Sequence, residues 1–438
     1  MIDNDVAPVT PADPSTSTRR ARAWGVTALL MALMIVNFAD KSVLGLAADP
    51  IRHDLGLSAT GFGLANSAFF LLFSLTGAAV GMLADRIRSR RLLLGMAVVW
   101  SVSQLPMALG AGFGVLVASR IVLGAAEGPA FPVAQHTAFT WFADRRRNLP
   151  GALIGAGTAL GVVIAAPTLT WMIGHHGWRS AFGTVAVAGL VWSALWFFLG
   201  REGSMDTATD RHVSVADPAR ADRSASATQL PYRRILRTRT WIGATIAYFG
   251  TYWAAALMLV WMPSFLHDGL GYSTGSAARV LAVAWAATGV MMLGQASLTD
   301  WLTRRGVPSR WARSGIGGVA LVLAAFGCLA LSTAHRGPAA VVFLIVGFGL
   351  AGVMVGSSVT TVAELVPAGR RGGALGLLSA FGTAAGLIAP TVTGRLVDTE
   401  GRAGYQHAVL LTGAVLLIGG VAALTLVDPA RDARRLSA

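Results

Sequence analysis

Ser180-Ala181-Phe182-Gly183-Thr184-Val185-Ala186-Val187-Ala188-Gly189-Leu190-Val191-Trp192-Ser193-Ala194-Leu195-Trp196-Phe197-Phe198-Leu199 contains no charged side chain, and it lies between Arg179 and the polar Gly200-Arg201-Glu202. A helix rises about 1.5 Å per residue, so roughly twenty apolar residues cross the hydrocarbon core of a bilayer. Outward from this stretch, runs of the same kind recur at approximately 24–47, 60–83, 92–110, 114–141, 150–172, 241–266, 277–299, 312–333, 338–363, 373–395 and 408–427. The composition agrees: the 438 residues are 54% hydrophobic and 13% charged, against about 25% charged in soluble domains, and mean hydropathy is +0.61. No soluble fold could bury that much apolar surface. The numbers exclude a cytosolic enzyme and a disordered chain, and the single cysteine, Cys328, excludes a disulfide scaffold. The sequence shows no P-loop, nucleophile elbow, metal-ligand cluster or cofactor motif, so neither an enzyme nor a bound metal or cofactor is expected. The expected fold class is an all-α membrane protein with twelve transmembrane helices.

The longest polar break, residues 201–240, divides the twelve runs into six plus six. The expected organisation is a disordered cytoplasmic tail at 1–23, an N-terminal six-helix bundle at 24–200 and a cytoplasmic linker at 201–240. A C-terminal bundle at 241–427 and a tail at 428–438 complete it. The net charge of +14 invites a nucleic-acid reading, but the basic residues sit in short clusters between spans, so no nucleic acid is expected. With the N-terminus inside, 27 of the 35 Lys and Arg residues fall on cytoplasmic segments and 6 on external ones. That bias predicts a multi-pass protein of the cell inner (plasma) membrane with both termini cytoplasmic. A faint repeat supports the split: Arg146-Arg147-Asn148-Leu149-Pro150-Gly151-Ala152, leading to Ala166-Pro167, resembles Gly369-Arg370-Arg371-Gly372-Gly373-Ala374-Leu375, leading to Ala389-Pro390. Parallel repeats of this sort characterise carriers whose halves rock about a midplane site.

Four ionisable residues lie well inside the runs: Asp40, Lys41, Arg120 and Glu127. Each charge at a helix centre costs roughly 2.5–3.5 kcal/mol to insert, so all four must face the interior of the bundle. Arg120 and Glu127 are seven residues apart and share a helix face with Gly124. Asn37, Asp40, Lys41 and Leu44 form another at i, i+3, i+4 and i+7. One reading makes these charges two structural ion pairs. The other gives the carboxylates a proton-carrying role and the cations an anion to hold. An anion on Lys41 and Arg120 would cancel the positive charge that keeps Asp40 and Glu127 ionised, coupling the two ligands reciprocally. Lys41 is the only lysine in the chain, which suggests a need for a compact, titratable charge there.

Gly81-Met82-Leu83-Ala84-Asp85-Arg86-Ile87-Arg88-Ser89-Arg90-Arg91 resembles the signature loop of the major facilitator superfamily, Gly-x-Leu-x-Asp-Arg-x-Gly-x-(Arg/Lys)-(Arg/Lys), with Arg88 at the usual second glycine. The resemblance implies a twelve-helix fold and a gating loop in which Gly81 permits close helix approach and Asp85, Arg86, Arg90 and Arg91 form a charge latch. A degenerate second copy runs from Ala296 to Asp300 with Arg304 and Arg305. Arg120-Ile121-Val122-Leu123-Gly124-Ala125-Ala126-Glu127-Gly128-Pro129-Ala130-Phe131-Pro132 and Asn37-Phe38-Ala39-Asp40-Lys41 are similar to the anion:cation symporter family within it. That similarity implies Asp40 and Glu127 as proton-coupling carboxylates, and Arg120 with the cation after Asp40 as the anion-recognising pair.

The departures bear on cargo. Lys41 replaces an arginine and loses the bidentate fork. Phe38 and Phe73 stand where tyrosines are common, and Thr158 and Ser379 where longer amides occur in sugar-acid carriers. Asn37, Phe38, Phe73, Thr158 and Ser379 join Lys41 and Arg120 as expected substrate contacts, for a ligand less hydroxylated than a hexonate. The expectation is a monomeric, proton-coupled importer of a small organic anion (a carboxylate) with the lipid bilayer as its surroundings. A drug exporter of the same fold, or an anion sensor, is the alternative.

Overall fold

A computed structural model describes residues 14–83, 88–142, 147–203 and 231–437, and every regular element among them is helical. Among the described residues, twelve helices are long and apolar enough to cross a membrane. They are Arg20–Leu46, Ala59–Gly77, Ser89–Ala108, Phe113–Phe139, Leu149–His176, Trp178–Leu199, Arg239–Val260, Thr274–Arg304, Arg310–Ser332, Pro338–Leu365, Arg370–Glu400 and Arg402–Leu426, spans 1 to 12 below. Each coincides with one of the apolar runs. At the start of the chain the helix that contains span 1 already begins at Pro14, ahead of the apolar run. At the other end Pro429–Ser437 is helical, and its buried Asp432 accepts hydrogen bonds from the Thr240 N–H and hydroxyl (2.8 and 2.7 Å), capping span 7.

Within the first half, span 1 packs on span 5, span 2 on span 4 and span 3 on span 6. In the second half, spans 9 and 7 both pack on span 12. Spans 5 and 11 begin at the two copies of the sequence repeat. The closest of these approaches depends on glycine: a Cβ on Gly124 would overlap the Phe69 carbonyl of span 2, and one on Gly128 the Phe73 carbonyl. With no side chain at either position, span 4 lies directly on the backbone of span 2. Span 4 is then interrupted. Its first helix ends at Glu127 and the next starts at Ala130, because Pro129 has no N–H to continue the ladder.

Other breaks fall elsewhere than the prolines suggest. Pro167 and Pro390 sit inside the uninterrupted helices Asn148–His176 and Ala385–Glu400, and the break in span 11 comes at Ala384. Span 7 ends at Trp261-Met262-Pro263, followed by a π-turn over Phe265–Gly269. Span 10 passes through a π-turn at Ile345–Gly349 and a 3-10 turn at Leu350–Val353.

The halves meet along span 2 against span 11, span 5 against span 8 and span 1 against span 7. At the end opposite the chain termini, the Asp398 carboxylate of span 11 accepts the Ala59 and Thr60 N–H groups of span 2 at 2.8 and 2.7 Å. One half thus caps a helix of the other. Deeper along the same seam the Ser67 and Thr391 hydroxyls pair at 2.8 Å, and the Thr383 hydroxyl donates to Ser74 at 2.7 Å. Phe62 of the first half meets Trp261 of the second edge to face at 5.4 Å.

At the opposite end, Gly81 lies in the last turn of the helix Ala59–Leu83, while Asp85 and Arg86 lie outside the described residues. Arg90 is engaged within its own half: its N–H donates to Glu202 at 2.8 Å and its guanidinium to the Phe197 carbonyl at 2.6 Å. Arg91 is exposed on the first turn of the same helix.

Removing a capping carboxylate costs about 0.5–2 kcal/mol, enough to shift a two-state equilibrium several-fold. Asp398→Ala is therefore expected to open the seam. In a Cys328→Ser background, a cysteine placed at Thr391 should react several-fold faster with a membrane-impermeant maleimide once Asp398 is replaced. An unchanged rate would contradict the cap's role in holding the halves together.

Candidate transport site

Spans 1, 3 and 4 bring the expected charges together in the first half. Asp40, Arg120 and Glu127 are each exposed by 2% or less. Lys41 Nζ lies 3.2 Å from Glu127 Oε2 and donates a 2.6 Å hydrogen bond to Asn37 Oδ1, one turn back on span 1. The ion pair therefore joins span 1 to span 4, at the point where the break after Glu127 leaves span 4 without a continuous ladder. Asp40 feels both Arg120 and Glu127 electrostatically. The side-chain amide of Gln104 on span 3 donates to Asp40 Oδ1.

Aromatic rings surround the cations. Lys41 Nζ stands 4.6 Å from the Phe38 ring centroid, 5.2 Å from that of Phe73 and 5.9 Å from that of Phe69. The Arg120 guanidinium lies 5.1 Å from the Phe69 centroid. A desolvated cation gains on the order of 2 kcal/mol from such a ring face, which helps hold these two charges away from water. The second half contributes Trp285 of span 8, whose ring meets Phe38 edge to face at 6.1 Å.

Among the described residues, donors and acceptors of this cluster both go unpaired, Gln104 Oε1 among the acceptors. Arg120 Nε and Nη1, Asn37 Nδ2 and Trp285 Nε1 are all buried donors with no acceptor. Buried donors are nearly always paired in folded proteins, and a group of orphans gathered near two cations suits an acceptor-rich ligand. Glu127 is on the acceptor side of the cluster, against the Lys41 ammonium at 3.2 Å and beside the Asp40 carboxylate.

Among the expected substrate contacts, Asn37, Phe38, Lys41, Phe73 and Arg120 converge on this cluster. Thr158 and Ser379 are half-buried, but no hydrogen bond ties either to the four charges. The Thr158 hydroxyl donates to the Gly155 carbonyl of its own helix at 2.7 Å, and Ser379 lies on span 11 beside Tyr248. Gln104, Phe69 and Trp285 escaped the sequence reading. Gln104 carried a usable signal, a long polar amide inside an apolar run, that attention to ionisable residues passes over. The two aromatic residues carried none, since in an apolar helix they look like filling.

A major facilitator superfamily model matches residues 30–390, and again residues 309–438. The chain belongs to the major facilitator superfamily. Its members are transporters and not enzymes. Among curated relatives, it is 28% identical over 405 residues to the hexuronate transporter of Bacillus subtilis (strain 168), covering 90% of this chain and 92% of that one. It is 28% identical over 427 residues to the probable L-galactonate transporter of Escherichia coli (strain K12), covering 96% and 93%. Among solved structures, a bacterial homologue of the human lysosomal transporter Spinster superposes with a TM-score of 0.74 over 95% of this chain and 98% of that one, at 18% identity. That likeness supports the superfamily fold.

The Lys41–Glu127 contact generates a stability prediction. Removing one partner of a buried ion pair costs roughly 3–5 kcal/mol, whereas removing both is far milder. At neutral pH, Lys41→Met should lower the apparent Tm by many degrees, and Lys41→Met/Glu127→Gln should regain most of it. A double variant no more stable than the single one would show that the pair does not couple the two helices.

Proposed function

We propose that this membrane protein imports a small organic anion together with protons, by alternating access between its two six-span halves. The observation that carries this reading is the set of buried, unpaired donors on Arg120 (Nε and Nη1) and Asn37 (Nδ2), with Trp285 Nε1 on the residue whose ring meets Phe38. A carboxylate supplies two oxygens with about four acceptor positions, the complement that this set lacks. Lys41 and Arg120 bind it, with Asn37 beside them, and Phe38 and Phe73 form the apolar wall. The named cargoes of the two relatives are a hexuronate and L-galactonate, which supports an organic anion here. The aromatic surroundings of Lys41 favour a cargo with fewer hydroxyls than those. Thr158 and Ser379 are assigned to outer contacts.

Coupling follows from electrostatics. In the empty site the positive charges of Lys41 and Arg120 lie close to Glu127 and Asp40. An anion that takes up the cations' charge leaves the carboxylates in a low-dielectric site with less compensation, which favours protonation. Anion and proton therefore bind with positive cooperativity, and both leave when the site opens to the other side. The chain acts as a monomer in the plasma membrane with both termini cytoplasmic, so the seam capped by Asp398 is the external gate. Asp85 and Arg86, with Gly81, Arg90 and Arg91, serve the internal gate.

Arg120→Ala should weaken binding of a transported carboxylate at least about tenfold, since hydrogen bonds to charged groups contribute roughly 1.5–3 kcal/mol. Equilibrium binding to purified protein measures this, and retained affinity would remove Arg120 from the site. Glu127→Gln should abolish accumulation driven by a proton gradient in reconstituted vesicles while leaving counterflow exchange of the anion intact. Undiminished accumulation would remove Glu127 from the coupling.

A further inference from the structure

Outside the membrane interior, at the end opposite the termini, the fold joins Asp49 to two adjacent side chains, His267 and Asp268, that lie far along the sequence. Asp49 belongs to the short helix Ala48–Asp54 that follows span 1, and His267 and Asp268 lie in the π-turn Phe265–Gly269 that follows span 7. His267 Nδ1 is 2.8 Å from Asp268 Oδ1 and 4.0 Å from Asp49 Oδ2. One donor atom from each of the three lies within 4.8 Å of the others. The imidazole and carboxylates are 39 to 46% exposed, so an ion can reach them.

We propose that Asp49, His267 and Asp268 form a binding site for a divalent transition-metal ion of the zinc type, which clamps the two halves together at this face. A tetrahedral ion with ligands at about 2.0–2.1 Å places its donor atoms about 3.3 Å apart. The observed 2.8 and 4.0 Å separations bracket that spacing. Closing the set around an ion takes only small side-chain rotations. One nitrogen and two carboxylate oxygens match the three-ligand sets that zinc accepts with a water in the fourth place, and a purely oxygen-seeking ion gains nothing from the imidazole.

A second observation points to the same place. The Ser264 hydroxyl is 2% exposed and lies against Asp49, to which it can donate a hydrogen bond. It is poised to bind a metal-bound water or the ligating carboxylate, as second-layer donors do in metal sites. Tyr405 holds the other carboxylate, its hydroxyl donating to Asp268 Oδ2 at 3.3 Å, and Arg402 fixes the turn by donating to the Gly269 carbonyl at 2.7 Å. Arg52 also borders Asp49. It balances one of the two negative charges and leaves the other for the ion. Asp49 is the ligand from the first half, and His267 and Asp268 come from the second. An ion here must therefore be released before the halves part at this face.

Zinc chloride titrated into the purified full-length protein, after chelator treatment, tests the site without reference to transport. Calorimetry should show one saturable equivalent below about 100 µM, with His267→Ala and Asp49→Asn each weakening it at least tenfold. His267→Cys, which restores a zinc ligand, should recover binding, and excess magnesium should not compete. Absence of saturable binding, or wild-type affinity in His267→Ala and Asp49→Asn, would overturn the proposal. The clamp's effect rests on the uptake reading and is measured separately: external zinc should slow anion uptake in wild type and spare His267→Ala, with reversal by an impermeant chelator. Zinc that binds at the expected residues yet leaves uptake unaffected would overturn the clamp alone. Failure of the carboxylate-binding and exchange assays with intact zinc binding would overturn the uptake reading instead.

Discussion

A charge in hydrocarbon is tolerated only with a partner, and in this protein that constraint organises the first half. Lys41 and Glu127 meet at 3.2 Å across spans 1 and 4, within a cluster that also buries Asp40 and Arg120. The glycines at 124 and 128 let span 4 close on span 2, which brings Phe69 and Phe73 up to the cations. The break at Pro129 frees the chain immediately beyond Glu127. These features are mutually dependent. A bulkier residue at 124 separates spans 2 and 4, and with them the rings from the charges.

In the proposed coupling the pair acts as a switch and not as a strut. Buried ion pairs add little net stability compared with apolar packing of the same volume, so four charges are a poor way to hold helices together. They are a good way to make the binding of one ion depend on another. The orphan donors on Arg120, Asn37 and Trp285 add to this picture, because a finished structural network would have used them. Trp285 also belongs to the second half. Its contact with Phe38 gives that half a side chain at the edge of a charge cluster that is otherwise confined to the first.

Much of the fold could be read in advance because membrane insertion is a local constraint. Twenty uninterrupted apolar residues such as 180–199 have few alternatives, and the loops' basic bias reports topology independently. The four charges were legible for the same reason, since a lone Lys41 or Arg120 in an apolar run is conspicuous. Their pairing was less so. Helix periodicity puts Arg120 and Glu127 on one face but does not say that Glu127 would meet Lys41. Gln104 was overlooked because an uncharged amide carries a smaller insertion cost. Pro167 and Pro390 sit inside continuous helices, while the break in span 11 comes at Ala384, where no proline marks it. Asp49 joins the adjacent His267 and Asp268 only through long-range packing between the halves, and spacing in the sequence gives no hint of that meeting.

In the proposed cycle an anion at Lys41 and Arg120 drives proton uptake by Glu127 and Asp40. Calorimetric titration of a bound carboxylate, repeated at one pH in buffers of differing ionisation enthalpy, measures that proton directly. The account predicts a binding enthalpy that varies with the buffer in the sense of net proton uptake, and a smaller variation in Glu127→Gln. Binding enthalpies independent of the buffer would contradict it.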